Sequence, residues 1–566
     1  MKFAIVTLGC KVNQYESQAM EQWLAERGHV EVRPGEDFDL AIVNTCTVTA
    51  VADKKNRNLI RRLRKQCPEA VLAVCGCYAQ VKPEDIRGLG ADVISGSGGR
   101  EAFLELCLET LADRQKRERL DEALKRRQFE ILPAGGLAAR TRAMLKVQDG
   151  CSNFCSYCII PYARGPVRSL PLEEAVAQAR GLAAEGYREI VVTGIEIASW
   201  GWDFHDGSRL VQLLDAVCAA VPELRVRLGS LEPRIIDPEF CEVMRKHENL
   251  CPHFHLSMQS GSDAVLARMK RKYDTARYYE SVRLLKEAFP GCAVTTDMIV
   301  GFPGETEEEF AESLAFIRKC GFAAMHVFPY SRRPGTPADR LPGQLGNAVK
   351  EARSAAAIAV AAEMNRSFRE HMIGTVQEVL FEEEATGDAV GGGVPDAPRV
   401  PTTDEPPVTS HQSPGDGGNG LPRQCAHWLA MTESGEAPAV GGGVLRSEAS
   451  PLGDAPQVPT TDEAACDAVG GGVLRSEASP LGDAPQVPTT DEAPGDAVGG
   501  GVPRSEASPL GDAPRVPMTD EAAAVWTGHA PNSIRVYAPG RELHNRVLPV
   551  RITGLYEDGL LGETVL

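Results

Sequence analysis

Residues 151–158 have the sequence CSNFCSYC, in which three cysteines are separated by three and by two residues. This stretch follows a short apolar segment, Met144–Val147, that we predict to be a strand. The spacing brings Cys151, Cys155 and Cys158 to one side of a loop, where three thiolates can bind three irons of a 4Fe-4S cube. The fourth iron stays open and can hold the amino and carboxylate groups of S-adenosylmethionine (SAM).

A structural zinc site is the alternative interpretation of this loop. Such sites have four closed ligands, usually arranged as two pairs. No fourth Cys or His lies near residues 151–158 in the sequence. The cysteine spacing therefore favours an iron-sulfur cluster that can cleave SAM and release a 5′-deoxyadenosyl radical.

Five further strands are predicted after the cysteine loop, separated by helical stretches. They lie at Ile190–Thr193, Arg225–Leu228, His253–Leu256, Val294–Val300 and Ala324–Phe328. Alternating strands and helices predict a parallel (β/α) barrel, here a partial one with six strands, whose site lies at the carboxyl ends of the strands.

The N-terminal region also alternates strands and helices. Strands are predicted at Lys2–Thr7, Leu40–Asn44 and Val71–Val74, and a helix at Ser17–Arg27. A cysteine follows each strand within three residues: Cys10, Cys46 and Cys77. Because carboxyl ends of parallel strands meet at one sheet edge, these three thiols are expected to converge on one site.

These motifs resemble the radical SAM methylthiotransferase family over residues 1–381 and 525–566. Tyr157, directly before the last cysteine of the loop, also fits the radical SAM signature. The resemblance implies that Cys10, Cys46 and Cys77 bind an auxiliary 4Fe-4S cluster, and we prefer Cys77 to Cys75 because the family has Gly-Cys there. It thus implies two 4Fe-4S clusters and SAM as cofactors.

Within that family, TLGCKVNQYES, NTCTVT, RLGSLEPR, QSGSD and DMIVGFPGET resemble most closely the branch that modifies threonylcarbamoyladenosine at position 37 of tRNA. The resemblance implies transfer of a methylthio group to C2 of that base. It also implies tRNA, through its anticodon loop, as partner and an electron donor such as a flavodoxin or ferredoxin. One stretch, GIEIASWGWD at Gly194–Asp203, departs from the family pattern at Glu196.

Several residues at the predicted strand ends are candidates for binding SAM. We expect Thr193 and Gly194 to hold the methionine amino group, and Ser230 and Glu232 to lie near the ribose. Each also has an ordinary structural interpretation, with Gly194 in a turn, Ser230 as a helix cap and Glu232 in a surface ion pair.

Two basic segments are candidates for contacting tRNA. The segment 54–65 contains Lys54, Lys55, Arg57, Arg61, Arg62, Arg64 and Lys65 on a predicted helix, although such runs are commonly solvated faces. Arg332 and Arg333 follow the last barrel strand, where their guanidinium groups would suit the carboxylate of the threonyl group.

The net charge of -18 argues against nucleic-acid binding until its distribution is considered. Residues 382–522 carry 24 acidic and 6 basic residues, so the rest of the chain is neutral. This segment contains a repeat that begins at Val440, Val469 and Val498, a period of 29 residues. A solenoid is one interpretation of that period, but abundant Gly, Pro, Asp and Ser favour a disordered insertion.

The predicted fold class is therefore α/β, with a parallel-sheet N-terminal methylthiotransferase domain, a partial (β/α)6 radical SAM barrel and a small C-terminal β-barrel (TRAM). The predicted boundaries are 1–113 for the first domain, 114–136 for a linker with a solvated helix at Arg114–Arg127, 137–370 for the barrel, 371–384 and 523–566 for TRAM, and 385–522 for the insertion. We expect a cytoplasmic protein without membrane contact, because its sixteen cysteines suit a reducing compartment and no long apolar segment occurs.

Three other functions stay open at this stage. Within the family, the substrate could be isopentenyladenosine or an aspartate of a ribosomal protein. From another class, the chain could be a tRNA-binding iron-sulfur sensor without turnover, or a scaffold built on the repeats.

Overall fold

The computed structural model describes residues 1–33, 36–135, 141–385 and 524–565. The chain divides into two compact units, Met1–Val394 with Ala513–Leu566, and Pro395–Asp512. The second unit lies outside the described residues, as does the predicted insertion at 385–522 apart from its first residue. The domain boundaries given above stay predictions.

A parallel sheet with helices on both faces forms the N-terminal region. Its strands are β1 (Lys2–Thr7), β2 (Val30–Glu31), β3 (Leu40–Thr45), β4 (Val71–Gly76), β5 (Val93–Ser95) and β6 (Arg117–Arg119), in the order β2-β1-β3-β4-β5-β6. Its helices are α1 (Lys11–Glu26), α2 (Ala50–Gln66), α3 (Cys77–Val81), α4 (Pro83–Arg87) and α5 (Arg100–Asp113). The three predicted strands are present, whereas α1 begins six residues before the predicted helix.

Burial on both faces explains why the central strands are continuously apolar. All six residues of β3 are buried. Ile42 packs in one cluster with Phe103 of α5, and Val43 packs in another with Leu63 of α2. A parallel sheet covered on both sides requires this pattern, and it holds the carboxyl ends of β1, β3 and β4 side by side.

The predicted solvated helix at Arg114–Arg127 is wrong. The structure has strand β6 there, followed by a 3-10 turn at Ala123–Lys125. β6 pairs in parallel with β5 and extends the sheet. Most of its charged side chains are exposed to solvent, and Arg117 forms an ion pair with Asp113 of α5 at 2.6 Å.

The central region is the predicted partial barrel. Its strands are β7 (Arg142–Lys146), β10 (Glu189–Thr193), β11 (Arg225–Leu228) continued by β12 (Ser230–Leu231), β13 (His253–Leu256), β14 (Ala293–Val300) and β15 (Ala324–Pro329), with a small antiparallel pair, β8 (Gln148–Asp149) and β9 (Arg168–Ser169). Its helices are α6 (Ile160–Arg164), α7 (Leu172–Ala184), α8 (Leu210–Ala220), α9 (Pro238–Met244), α10 (Asp263–Arg268), α11 (Thr275–Ala288), α12 (Glu307–Cys320) and α13 (Asn347–Glu370). Within the described residues β7 and β15 do not pair, so the barrel is open on one side.

Alternate side chains of the barrel strands face opposite sides. One set, which includes Leu145, Ile190, Phe254 and Val294, packs in the apolar core with the surrounding helices. The other set faces the inside of the barrel and is largely polar. This difference between the two faces makes the interior a candidate binding site.

A small closed barrel completes the described chain. Its strands are β16 (Val376–Glu384), β17 (Ala524–His529), β18 (Arg535–Gly540), β19 (Val547–Tyr556) and β20 (Gly559–Thr564), in the order β16-β17-β18-β20-β19. Arg225 and Arg227 of β11 donate to the carbonyl oxygens of His529 at 3.2 Å and Pro531 at 2.9 Å. The small barrel therefore contacts the amino ends of the larger barrel's strands, away from the cysteine loop.

Among the helices of the described residues, none combines the length and apolar character needed to cross a membrane.

Candidate active site

The first group of thiols lies at the carboxyl edge of the N-terminal sheet. Cys10, Cys46 and Cys77 follow β1, β3 and β4, which are neighbouring strands. Gly76 has a φ of +100°, and a Cβ at this position would lie 2.5 Å from the carbonyl oxygen of Thr45. Only glycine fits this turn, which leads directly from β4 to Cys77.

These three thiols are close enough to influence one another. Burial, together with the neighbouring Cys77 and Cys10, raises the pKa of Cys46 to about 12. Burial also raises the pKa of Cys77, whereas the Arg164 guanidinium lowers it. Buried thiolates that repel one another require positive charge among them, and iron ions would supply it.

Cys75 occupies a different environment from Cys77. Its side chain lies in the apolar cluster that contains Phe103 and Cys107 of α5. The packing supports Cys77 as the third ligand of the auxiliary cluster, and that assignment stays a prediction.

The second group of thiols lies in the loop between β8 and α6, beyond the carboxyl end of β7. The amide of Cys151 donates to the carbonyl oxygen of Gly165 at 3.0 Å, and the amide of Ser156 donates to that of Met269 at 3.0 Å. Burial raises the pKa of both Cys151 and Cys158 to about 12. The loop is thus anchored at two points, with Cys155 buried and the other two thiols partly exposed.

The donor set fits two clusters better than single metal ions. In the described part of the chain, no three or more His, Cys, Asp or Glu side chains are arranged to hold one metal ion. Thiolates of a 4Fe-4S cluster bind different irons, so they need not converge on one point. Two groups of three thiols would each hold a cluster with one open iron.

A buried charge network lies between the two groups of thiols. Glu16 of α1 accepts hydrogen bonds from Arg100 at 2.6 Å, from Arg164 at 2.7 Å and from Lys146 at 3.3 Å. Burial by itself would raise the pKa of Glu16, but the three cations hold it well below its usual range. Because these residues belong to α1, α5, α6 and β7, the network joins the sheet to the barrel.

The four candidate SAM residues lie together at the carboxyl ends of the barrel strands. Thr193 ends β10, and a Cβ on the following Gly194 would lie 2.8 Å from the carbonyl oxygen of Gln148. Ser230 is exposed after β11, and the buried Glu232 accepts a hydrogen bond from Arg234 at 2.7 Å. Their role in binding SAM stays a prediction.

Glu196, where the sequence departs from the family pattern, faces the cysteine loop. Its carboxylate accepts a hydrogen bond from Asn153 at 3.2 Å. Burial raises its pKa to about 7, and the charge of Glu232 adds to that effect. The departure therefore places an acidic group next to Cys151.

The arginines predicted to bind the threonyl carboxylate lie where the barrel meets the sheet. Arg332 and Arg333 line a cleft of about 450 Å³ that also includes Arg57 and Lys82. Arg333 is buried and donates to Asp53 at 2.8 Å, whereas the half-exposed Arg332 donates to Asp339 at 2.8 Å. Both guanidinium groups have carboxylate partners, and their role in binding the threonyl carboxylate stays a prediction.

The basic segment 54–65 forms most of α2. Arg57 donates to the hydroxyl of Tyr78 at 2.8 Å and Arg64 pairs with Asp92, so these two have structural roles. Four others are exposed and have no ion-pair partner among the described residues: Lys54, Arg61, Arg62 and Lys65. These four leave a basic face on α2.

A polar cluster lines the inside of the barrel. Asp297 of β14 bonds to Nδ1 of His326 at 3.1 Å and to Nε2 of His255 at 3.3 Å. Nδ1 of His255 contacts the Thr295 hydroxyl at 3.0 Å. The side chain of His326 is 40% exposed although it lies in the middle of β15, so it faces open space inside the barrel.

Lys11, directly after Cys10, faces the same interior. Solvent reaches its side chain, yet the surrounding protein lowers its pKa to about 8 through burial and through the charges of Arg227 and Arg142. Arg227 is itself paired with Glu189 at 2.6 Å. The barrel interior is therefore polar and rich in groups that can carry positive charge.

Sequence reasoning missed the residues that connect the two thiol groups. Arg164 contacts Glu16 and Asn13, and Arg271 contacts Cys155. Arg164 lies six residues after Cys158 and could have been noticed as a cation near the motif. Arg271 lies more than a hundred residues away from the loop, and no local signal indicates its contact.

Comparison with known families agrees with this geometry. A model of the radical SAM superfamily matches residues 145–317, and a model described as uncharacterized protein family UPF0004 matches residues 2–96. The first match covers most of the partial barrel and its cysteine loop. The chain is thus an enzyme of the radical SAM class.

Similar proteins identify the family within the radical SAM class. The threonylcarbamoyladenosine tRNA methylthiotransferase MtaB of Bacillus subtilis is 42% identical over 67% of this chain and 84% of that protein. A tRNA-2-methylthio-N(6)-dimethylallyladenosine synthase of Caldicellulosiruptor saccharolyticus is 35% identical over 67% of this chain and 82% of that protein. The chain belongs to the radical SAM methylthiotransferase family.

Among solved structures, the radical SAM methyltransferase TsrM of Kitasatospora setae matches with a TM-score of 0.46 and 16% identity, over 60% of this chain and 77% of that one. Radical SAM enzymes use SAM and a 4Fe-4S cluster, and methylthiotransferases carry two clusters. Family membership confirms the predicted enzyme class and cofactors.

Proposed function

We propose that this enzyme adds a methylthio group to C2 of N6-threonylcarbamoyladenosine at position 37 of tRNA. The observation that carries this choice is the polar interior of the barrel. The threonylcarbamoyl group has a carboxylate, a hydroxyl and a urea, all of which form hydrogen bonds. His326, Lys11 and their neighbours offer polar partners that an isopentenyl group could not use.

An apolar substituent would be a poor fit for this interior. An isopentenyl group would offer no hydrogen bond to the exposed imidazole of His326, and a polar group that is buried without a partner costs about 1–3 kcal/mol. The same interior does not exclude a protein aspartate. However, the exposed basic face of α2 suits a polyanion, which supports tRNA.

The two groups of thiols would hold two clusters that have different roles in the reaction. When bound, the clusters and SAM supply the methylthio group and the radical that activates the C2–H bond, which acid-base groups do not break. Cys10, Cys46 and Cys77 would hold the auxiliary cluster, and Cys151, Cys155 and Cys158 the SAM-binding one. Thr193, Gly194, Ser230 and Glu232 would position SAM at the strand ends.

The Glu16 network supports this arrangement by fixing the sheet against the barrel. Its residues are fully buried, so the network is closed to water, and the base would have to reach the two groups of thiols beside it. The base would enter where they face each other, with its N6 substituent directed into the barrel. A base of the anticodon loop is single-stranded, which limits the cost of unstacking.

An external electron donor completes the proposal. A flavodoxin or ferredoxin would supply single electrons, because no redox group other than the two clusters belongs to the family's cofactors. The small C-terminal barrel is proposed to serve as a TRAM domain that contacts tRNA, and the enzyme is proposed to work in the cytoplasm.

The test is reconstitution without oxygen, followed by incubation with SAM, a reductant and tRNA that carries threonylcarbamoyladenosine, isopentenyladenosine or adenosine at position 37. Mass spectrometry of the nucleosides should show the methylthio product only with the first tRNA. Formation of 5′-deoxyadenosine without methylthio product from that tRNA would overturn the substrate assignment. Absence of both would favour a sensor without turnover.

A further inference from the structure

Each group of thiols has one arginine beside it, and of the two Arg164 is buried and Arg271 is half-buried. Arg271, in the loop between α10 and α11, donates from Nη1 to Sγ of Cys155 at 3.3 Å. Its Nη2 donates to the carbonyl oxygen of Ser257 at 3.3 Å, and its Nε donates to the hydroxyl of Tyr273 at 2.9 Å. The guanidinium also lies 4.7 Å from the centroid of the Tyr273 ring. These contacts fix its position against the cysteine loop.

Arg164 lies beside the other group, where its guanidinium lowers the pKa of Cys77. Its guanidinium forms ion pairs with Glu16 at 2.7 Å and with Asp149 at 3.2 Å. Two carboxylates therefore share its charge. The electrostatic effect that Arg164 exerts on Cys77 is reduced accordingly.

The charge of Arg271 is not shared in this way. In the part of the chain that the structure describes, no carboxylate lies within 4.0 Å of its guanidinium. Its nearest groups are Tyr157, Tyr273 and Cys155, and Glu196 acts on it only from a greater distance. Arg271 thus keeps most of its electrostatic effect on Cys155.

Reduction of an iron-sulfur cluster adds one negative charge, so a nearby cation and an N–H···S hydrogen bond both raise the reduction potential. A protein with two clusters must direct the electron to the one that binds SAM. The two arginines differ in how strongly nearby carboxylates offset the positive charge that acts on each cluster. This difference would raise the potential of one cluster more than that of the other.

We propose that Arg271 is a positioning residue that raises the reduction potential of the SAM-binding cluster through Cys155, so that this cluster rather than the auxiliary one accepts the electron. One electron passes from a low-potential donor protein to the cluster, and no bond breaks and no proton moves in this step. The proposal depends on the two cysteine groups as cluster ligands but not on the identity of the tRNA base.

The test measures each cluster by itself in the full-length protein, without SAM or tRNA. One background keeps only the SAM-binding cluster and carries Cys10→Ala, Cys46→Ala and Cys77→Ala. The other keeps only the auxiliary cluster and carries Cys151→Ala, Cys155→Ala and Cys158→Ala. Redox titration followed by electron paramagnetic resonance then gives one potential for each background.

In the first background, Arg271→Met should lower the ratio of reduced to oxidised cluster at least tenfold at a fixed solution potential, a shift of ~59 mV for one electron. Arg271→Lys should recover part of this shift, since it keeps the charge but loses the planar fork. Lys272→Met is the matched control, because Lys272 is the exposed neighbouring cation, and it should leave the potential unchanged. In the second background Arg271→Met should have no effect.

Three results would overturn the proposal. The first is an equal shift for Arg271→Met and Lys272→Met, and the second is a shift of the auxiliary cluster. The third is an unchanged potential together with a raised KM for SAM, which would make Arg271 a SAM ligand instead. If Arg271→Met fails to retain iron, Arg271→Gln, which keeps amide donors without charge, provides the same comparison.

Discussion

The two groups of thiols are assembled in opposite ways. Cys151, Cys155 and Cys158 come from one loop of eight residues, whereas Cys10, Cys46 and Cys77 come from the ends of three strands. The first group depends on local spacing, and the second depends on the whole N-terminal sheet. Damage to the sheet should therefore affect the auxiliary site first, and damage to the loop should affect SAM cleavage directly.

The largest expected effect separates the two sites by function. Cys155→Ala should abolish formation of 5′-deoxyadenosine, whereas Cys77→Ala should retain part of this activity and stop methylthio transfer. Both products are measured by mass spectrometry after incubation with SAM, reductant and substrate tRNA.

The control for these variants is Cys67→Ala, which removes a thiol at the end of α2 outside both groups. Equal loss of both products in Cys155→Ala and Cys77→Ala would contradict separate roles for the two sites.

A backbone change should show how far the auxiliary site depends on the sheet. In Gly76→Ala, the left-handed conformation costs ~1–3 kcal/mol, and the new Cβ clashes with Thr45 and Asn44. We expect loss of about half of the bound iron, with the cluster at Cys151 retained. Iron analysis and paramagnetic resonance measure the result.

Gly88→Ala provides the comparison, because Gly88 has a φ of -66° and the nearest atom to its Cβ would be 3.6 Å away. It should keep its full iron content. Full iron content in Gly76→Ala would show that the turn after β4 tolerates a side chain.

The junction between the two sites should respond to both mutation and pH. Glu16→Gln leaves the buried Arg100 without its carboxylate partner and leaves Arg164 and Lys146 with Asp149, so it should destabilise the fold by about 3–5 kcal/mol. The folded-state pKa of Glu16 lies below its ordinary value of 4.5. Its stabilising contribution is therefore present above that pH and is lost as the pH falls below it.

Thermal unfolding between about pH 6 and about pH 2 measures this effect, because the contribution is lost only below the ordinary pKa of 4.5. The wild-type protein should lose stability on acidification, and Glu16→Gln should show a weaker dependence on pH. Glu105→Gln changes an exposed residue of α5 and should match the wild type at every pH. A wild-type pH dependence in Glu16→Gln would assign the acid sensitivity to other carboxylates.

The smallest expected effect concerns the barrel interior. His326→Phe removes the exposed imidazole beside Asp297 and should raise the KM for threonylcarbamoylated tRNA about tenfold, or about 1.4 kcal/mol. Formation of 5′-deoxyadenosine in the absence of tRNA should not change, because His326 lies away from the cysteine loop. Steady-state kinetics at varied tRNA concentration checks this prediction.

His371→Phe changes an exposed histidine at the end of α13 and should leave the KM unaltered. An unchanged KM in His326→Phe would place the threonyl group outside the barrel.

Much of the fold could be predicted because the relevant signals are local. The strands of the sheet and of the barrel are short apolar stretches, and those near Leu40, Ile190 and Val294 were located to within a few residues. The strand after Arg114 was not located, because the charges of this segment resemble those of a solvated helix. Only the neighbouring β5 supplies the hydrogen-bond partners that make it a strand.

The order of residues along the chain was sufficient to determine the class of chemistry. The spacing of Cys151, Cys155 and Cys158 is a property of eight residues, and the strand-cysteine succession is also visible along the chain. The structure decided which distant charges surround these thiols, because the fold places Arg271 beside Cys155 and pairs Arg164 with Glu16 and Asp149. Three features depend on contacts between residues far apart in sequence. They are the position of Arg271 away from carboxylates, the pairing of Arg164 with two carboxylates, and the polar interior of the barrel.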